Sequence, residues 1–336
     1  MNILLTSVGR RAYMVKYFKE ALGKAGKVHV SNSDDKTVAF RYADKAIVTP
    51  LIYDNSYIPF LKEYCIENHI DVLLSLFDID LLVLSQHKKE FEDIGTRVII
   101  SDPELISICN DKWKTYLFLK ENGFNVPRTY LSLVEVLHAV DRGDICYPII
   151  VKPRFGCGSI AVSIAEDEMD LLFYFRKNTR LIHSSYLKYE SCQVNESEQI
   201  VYQEFLVGQE YGADIINDLN GEIQNVIIKK KLAMRAGETD IAEIVCEPNI
   251  EKELTKLGQL TKHVCNMDID VFLSGNKPFI LELNARFGGG YPFSHMAGCN
   301  IPKAIIQWIR GEKVDKEVLS AKVGLRGYKE LVITKQ

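Results

Sequence analysis

The stretch Phe279–His295, FILELNARFGGGYPFSH, decides how the rest of the chain reads. It begins as an apolar strand, sets Glu282, Asn284 and Arg286 at every second position, and runs into three glycines, Gly288, Gly289 and Gly290. Side chains along a strand alternate between faces, so the acid, the amide and the guanidinium share one side. An edge strand with one wet face would give the same pattern. Asp270 precedes Glu282 by twelve residues, with the turn SGNKP between them. A hairpin of that length sets the two acids side by side. With Asn284 they form a set of hard oxygen donors, suited to magnesium held by few protein groups plus phosphate. Two acids at close range repel, which argues for a cation between them. Arg286 then lies where charge on a transferring phosphoryl group needs stabilising.

The bulk properties set limits on the rest. The chain has 336 residues, enough for two or three packed subdomains. Its net charge is −4, so nothing in the balance suggests a nucleic-acid partner. No run of about 20 apolar residues suggests a membrane span. The first residues, MNILLTSVGRR, place basic after apolar positions, unlike a secretory signal, so the cytoplasm is the expected compartment. Eight cysteines are scattered without a C-x-x-C pair and read as reduced core filling. Cys157 sits between two glycines, but no base lies near it in the sequence to make a catalytic thiol.

Working outward, the first hundred residues alternate strand and helix. NILLTSVG, KVHVSNSD, IDVLLSLF and RVIIS read as strands. A helix ended by Gly26, a helix after Asn55 and a helix capped by Asp78 lie between them. Such alternation predicts a parallel sheet with helices on both faces. Asp102-Pro103 opens a short helix; a second is capped by Asn110 and ended by Gly123. From YPIIVKPRFGCGSIAVSIAE onward the strands are longer and antiparallel in style. Residues 178–197 are polar and read as a surface loop or insertion. VGLRGYKELVITKQ reads as a returning strand, and no internal repeat is visible.

Three further stretches carry candidate chemistry. TSVGRR follows the first strand, but Gly9 alone does not make a dinucleotide fingerprint. In VKPRFGCGSIAV a lysine ends a buried strand and a small-residue loop follows. Backbone N–H groups of such a loop can approach phosphate oxygens, and Lys152 adds a point charge. A plain hairpin with a glycine turn would look much the same. In VYQEFLVGQEYGADI, Gln203 and Glu204 end a strand before an apolar pair. That linker could offer backbone groups to a planar base, with Glu210 accepting from a ribose; a hairpin with exposed acids is the plainer reading.

The order of these elements resembles the ATP-grasp family over nearly the whole chain. The order is a helix lysine (Lys112), a strand lysine with a glycine loop, an acidic linker, and D-x11-E-x-N-x-R. The N-terminal region is similar to the pre-ATP-grasp domain of that superfamily. The chain is similar to stand-alone proteins that resemble one half of the carbamoyl phosphate synthetase large subunit, and to the pyrrolysine-biosynthesis type of ligase. The resemblance implies an α/β fold with a parallel-sheet domain at residues 1–108, followed by an α+β ATP-grasp fold in two subdomains. These are a small subdomain with a lid loop at 109–205 and a subdomain carrying the metal site at 206–336.

The resemblance also implies roles. Lys112 and Lys152 would touch the nucleotide phosphates, and Gly156, Gly158 and Ser159 would close over them. Gln203, Glu204, Phe205 and Leu206 would hold the adenine and Glu210 the ribose. Asp270, Glu282 and Asn284 would hold magnesium or manganese, and Arg286 would steady the reacting phosphate. KKKLAMRAGETDIAEIV resembles the acceptor-facing part of amino-acid-ligase-like members, with Arg235 catalytic and Glu238 facing substrate. Lys229–Lys231 read more simply as a solvated strand end. Gly288, Gly289 and His295 are further substrate-side candidates, His295 more simply as a structural histidine.

The implied activity is an ATP-dependent carboxylate–amine or carboxylate–thiol ligase, acting through an acyl phosphate on small-molecule substrates, with an amino acid preferred as substrate. Family members are often dimers. Two departures bear on this. The chain has one such unit, where carbamoyl phosphate synthetase resembles a duplicated pair, and its loop carries Arg154, Phe155 and Cys157 where relatives are richer in glycine. Two rivals are a regulatory ATP-binding protein without turnover and a dinucleotide enzyme built on the first domain.

Overall fold

Alternation along β1 (Asn2–Thr6) divides the N-terminal sheet into two faces. Ile3 and Leu5 pack with Met14, Val15 and Phe18 of α1 (Ala12–Leu22). Leu4 faces the other way, toward a second core. The structure is a computed structural model and describes residues 1–335 except 157 and 159. β2 (Lys27–Asn32), β3 (Lys45–Val48), α2 (Tyr57–Glu67), β4 (Val72–Ser75), α3 (Asp78–Asp93) and β5 (Arg97–Val98) complete the unit. The five strands are all parallel, in the order β3-β2-β1-β4-β5. Leu61 of α2 and Leu84 and Phe91 of α3 cover the second face. The predicted parallel sheet with helices on both sides is therefore present.

Some local readings change. Gly23, in the left-handed region at φ 56°, ends α1. Gly26 serves the start of the next strand: a Cβ there would lie 1.7 Å from the Met1 carbonyl oxygen. Phe77 precedes α3 as its cap residue, so Asp78 lies inside the helix, and its carboxylate accepts from Arg286.

α4 (Pro103–Asn110) and α5 (Lys112–Glu121) lead into the second half. Asp111, not Asn110, caps α5: its Oδ1 accepts from the Trp113 and Lys114 amides. β6 (Thr129–Tyr130), α6 (Leu133–Asp141), β7 (Ile149–Pro153), β8 (Ser163–Ala165), α7 (Glu168–Ser184), α8 (Lys188–Ser191) and β9 (Ile200–Glu204) follow. Their four strands pair antiparallel in the order β6-β9-β7-β8. Val136, Val151, Leu171, Ile182 and Tyr202 give this layer its own core. The reading of residues 178–197 as a loop is corrected in part: α7 runs through Ser184 and α8 follows. The polar composition there is the outer face of helix; inward, Leu171, Asn178 and Ile182 are buried at helical spacing. Asn178 donates to the Ala161 carbonyl at 2.8 Å.

The largest sheet is antiparallel throughout. It contains β10 (Gln209–Asn217), β11 (Ile223–Arg235) and β12 (Glu238–Val245), then, after α9 (Pro248–Thr261), β13 (Asn266–Ser274) and β14 (Lys277–Asn284). After α10 (Tyr291–Met296) and α11 (Ile301–Ile309), β15 (Arg326–Tyr328) returns to pair with β12. The strand order is β14-β13-β10-β11-β12-β15. α9 buries Ile250, Leu254 and Leu257 on one face, in the same core as Leu4 and Leu61. Tyr291, Phe293 and Ile305 on the other face share a core with α1. The N-terminal sheet and the six-stranded sheet are thus welded through both large cores, and the small layer stands on its own.

In the N-terminal sheet the chain moves outward from β1 through β2 to β3, then crosses back to β4 on the other side of β1. The crevice beyond the carboxyl ends of β1 and β4 is where open parallel sheets bind ligands. Asp80 ties these ends together. Its buried carboxylate accepts from Thr6, Ser7, Ser75 and Tyr57 hydroxyls at 2.5–2.9 Å.

Candidate active site

The β13–β14 hairpin sets Asp270 directly opposite Glu282, and Asp268 opposite Asn284. Directly opposite residues project on the same face, so the acid pair expected from spacing stands side by side. These groups floor a cleft of about 550 Å³. Its walls come from Ser7–Arg11 after β1, from Phe77 after β4, and from Gly158 and Tyr186 of the small layer. TSVGRR lines this crevice as a strand-to-helix turn, with Ser7 through Arg11 on its wall, and not as a dinucleotide fingerprint.

The acid pair does not stand uncompensated. Lys231 Nζ lies 2.6 Å from both Asp270 Oδ1 and Glu210 Oε1. Lys112 Nζ lies 3.5 Å from Glu282 Oε1 and donates to the Gly156 carbonyl. Repulsion between the acids is therefore no argument for a metal, because lysines already supply the charge. Burial works against the charge on Lys231, but Asp270 and Glu210 outweigh it and raise its pKa. Lys229 is 2% exposed and pairs with Asp214 at 2.5 Å. The reading of Lys229–Lys231 as a solvated end is overturned for these two: the strand face is the inside of the cleft.

Lys152 lies one residue before the end of β7 and is buried, with Nζ donating to Gln203 Oε1 at 2.8 Å. Gln203 in turn donates to Thr129 Oγ1 at 2.9 Å. Burial pushes the Lys152 ammonium down to about 8, Lys112 pushes the same way, and Glu282 and Asp270 oppose. The loop after Lys152 is pinned at its start. Arg154 makes a two-point pair with Asp111 at 2.8 Å for each bond, and the Lys112 amide donates to the Arg154 carbonyl at 3.0 Å. One acid thus caps α5 and holds the loop, which places Lys112 beside Gly156. Ser159 and Cys157 lie outside the described residues; Gly158, between them, lines the cleft.

Glu204 ends β9, and its Oε2 accepts from the Arg128 amide at 3.1 Å. Phe205 is exposed and Leu206 half-buried in the linker to β10. Gly208 lets this linker lie against β13: a Cβ there would be 2.2 Å from the Leu273 carbonyl oxygen. These linker residues, with Lys112, Lys152 and Gln203, lie outside the cleft lining.

Arg286 is buried and already engaged. Its Nε and Nη2 donate to Asp78 Oδ2 at 3.0 and 2.8 Å, Nη2 to Asn284 Oδ1 at 3.0 Å, and Nη1 to the Phe287 carbonyl at 3.2 Å. Asp78 and Asp268 were missed in the sequence. Asp78 reads from sequence as a helix cap, and Asp268 lies two positions before Asp270 on the same strand. Asp268 lies 3.6 Å from Arg286, and burial raises its pKa. Gly288 exists for this acid, since a Cβ would come within 2.0 Å of the Asp268 carboxylate. Gly289 and Gly290 line the cleft.

The substrate-side candidates separate. Glu238 lines the cleft and pairs with Lys329 at 3.2 Å and Arg10 at 3.7 Å. Arg235 is drawn off to Asp240 at 2.5 Å and does not line it. His295 is stacked on Tyr17 with ring centres 3.6 Å apart, outside the lining, as its structural reading expects.

Asp270, Glu282 and Asn284 fit a divalent cation by chemistry: two adjacent carboxylates and one amide oxygen, facing a polar cleft with room for phosphate. Among the described residues, no three His, Cys, Asp or Glu side chains converge as a metal cluster.

Residues 3–99 match the PylC-like N-terminal domain and residues 109–290 match the ATP-grasp domain. The chain belongs to the ATP-grasp family. It is 24% identical over 324 residues to the carbamoyl phosphate synthase large chain of Methanosarcina mazei, covering 90% of this chain and 28% of that one. The chain thus spans little more than a quarter of the carbamoyl phosphate synthase relatives it matches. Among solved structures it resembles the biotin carboxylase domain of Hydrogenobacter thermophilus 2-oxoglutarate carboxylase, a dimer seen with MgADP and bicarbonate. The TM-score is 0.71 at 15% identity, over 93% of this chain and 70% of that one. It also resembles the L-amino acid ligase of Bacillus licheniformis, with TM-score 0.63 at 18% identity over 91% and 73%. The ATP-grasp enzymes use ATP and magnesium. No helix among the described residues is long and apolar enough to cross a membrane.

Proposed function

We propose that this chain is an ATP-dependent carboxylate–amine ligase acting through an acyl phosphate. The observation that carries the reading is the cross-strand pair Asp270 and Glu282, with Asn284 beside it and Lys112 and Lys152 behind. A carboxylate oxygen of the substrate attacks the γ-phosphorus of ATP, and the bond to the bridging oxygen breaks to release ADP. The amine then attacks the acyl carbon, and inorganic phosphate leaves with the electrons of the C–O bond. Magnesium, held by Asp270, Glu282 and Asn284, would neutralise charge on the transferred group.

The protein's part is placement and charge. Lys112 and Lys152 meet the phosphates. The loop at Gly156 and Gly158 covers them, and Gln203 through Leu206 with Glu210 take the nucleoside. Arg286, fixed by Asp78, is a positioning residue for Asn284. Glu238, Arg10 and the backbone of Gly289 face the acceptor side. The likeness to an L-amino acid ligase supports an amino acid as the carboxylate or the amine. A thiol acceptor would use the same first step. Unpaired cysteines support a reducing compartment, the cytoplasm. A homodimer, proposed by analogy with the carboxylase domain, is checked by light scattering.

One observation favours a second reading, a regulatory ATP-binding protein without turnover. Lys231 engages Asp270 and Glu210 at once, and both must be released for metal and ribose. ADP release from Mg·ATP with pooled carboxylic and amino acids, hydroxylamine serving as general acceptor, separates the two. Release that depends on one pool supports the ligase; ATP bound with no release from any pool supports the regulator.

A further inference from the structure

Glu190 on α8 is a buried acid near the site that the roles above do not use. It is 4% exposed, and among the described residues its Oε1 has no hydrogen-bond partner. A carboxylate oxygen buried without a partner is costly, so its persistence asks for an occupant. Glu190 lines a cavity of about 10 Å³ together with Asp78, Asn110, Gly156, Glu282 and Asn284. That is about the space of one water or one small ion. The neighbouring charges are already committed. Lys112 Nζ is held by the Gly156 carbonyl and faces Glu282, and Asp78 holds Arg286. Tyr186, Glu282 and Asn284 line both this cavity and the large cleft, so an ion there is open to water and phosphate on the cleft side.

Building on the ligase reading, we propose that Glu190 is a cation ligand: with Glu282 and Asn284 it holds a divalent cation in this cavity. Two carboxylates and an amide supply hard oxygens, and water from the cleft side completes the shell. Because α8 belongs to the layer that carries the glycine loop, this ion bridges that layer to the β13–β14 hairpin.

The test is titration of the full chain with Mn²⁺ alone, without nucleotide, read by the loss of the free Mn²⁺ electron paramagnetic resonance signal. Glu190→Gln is expected to weaken binding at least about tenfold, or to remove one equivalent, as neutralising a carboxylate at a metal does. In EDTA its Tm should stay near that of the wild type, and the rise in Tm on adding Mn²⁺ should shrink. Should Glu190→Gln fail to fold, Glu190→Asp, which keeps the charge and withdraws the oxygen, is read by the same titration and is expected to show the same weakening. Equal affinity and stoichiometry in wild type and variant would overturn the proposal, as would no Mn²⁺ binding by the wild type. Neither result touches the ligase reading, which ADP release tests separately.

Discussion

Asp270 and Glu282 stand directly opposite each other on β13 and β14, and each carboxylate has its own lysine, Lys231 for one and Lys112 for the other. The arrangement is a balanced charge cluster at the floor of the cleft. A metal placed between the two acids displaces an ammonium group, so removing one acid should disturb charge balance more than fold. Glu282→Gln keeps size and hydrogen-bonding capacity. It is expected to abolish ADP release while leaving Tm within a few degrees of wild type. Turnover near the wild-type rate would remove Glu282 from the metal site.

Lys152 gives a proton-linkage prediction. Its folded pKa, about 8, lies below the ordinary lysine value, so near pH 8 the free protein holds it partly neutral. Phosphate beside it favours the charged form, so nucleotide binding near pH 8 should take up protons. Calorimetry in buffers of different ionisation enthalpy reads that uptake directly. Lys152→Ala should weaken ATP binding and abolish the uptake. Proton uptake that survives in the variant would assign it to another group.

Gly288 and Gly289 predict different outcomes for the same change. An alanine Cβ at 288 would press within 2.0 Å of the Asp268 carboxylate, whereas at 289 its closest approach is 3.5 Å, to Glu238. Gly288→Ala is expected to lose about 1–3 kcal/mol of stability through overpacking. Gly289→Ala should fold like the wild type. Urea denaturation of the two variants checks this; equal stability would mean that the Asp268 side chain yields freely.

Much of this was legible in the sequence and some was not, for physical reasons. The period-two pattern of Glu282, Asn284 and Arg286 and the twelve-residue offset to Asp270 fix local geometry, and the hairpin register follows them. The strand–helix alternation likewise gave the parallel sheet. Long-range pairings left no such trace. Asp78 reaches Arg286 across 208 positions, and Lys229 and Lys231 look solvated until Asp214, Glu210 and Asp270 are folded against them. Residues 178–184 were misread because a helix exposed on most of its circumference has loop-like composition.

His263 should govern part of the acid stability. It is buried without exposure, with Nε2 3.0 Å from the Ile215 carbonyl and Nδ1 2.9 Å from Thr261 Oγ1. Burial holds its pKa down to about 4, against 6.5 in an unfolded chain. The folded value is the depressed one, so the unfolded state binds the extra proton first. The stabilisation is full above pH 6.5 and is lost as pH falls toward 4, by about 3 kcal/mol at most. His263→Gln should flatten the stability profile between pH 4 and 6.5. An unchanged slope would place the acid sensitivity elsewhere.

The central claim is that a substrate carboxylate is phosphorylated at this site. Once the activating acid is known, it is supplied with both carboxylate oxygens as oxygen-18, and the inorganic phosphate released during turnover is analysed by mass spectrometry. Activation through an acyl phosphate predicts one labelled oxygen in each phosphate. Phosphate released without label would contradict it.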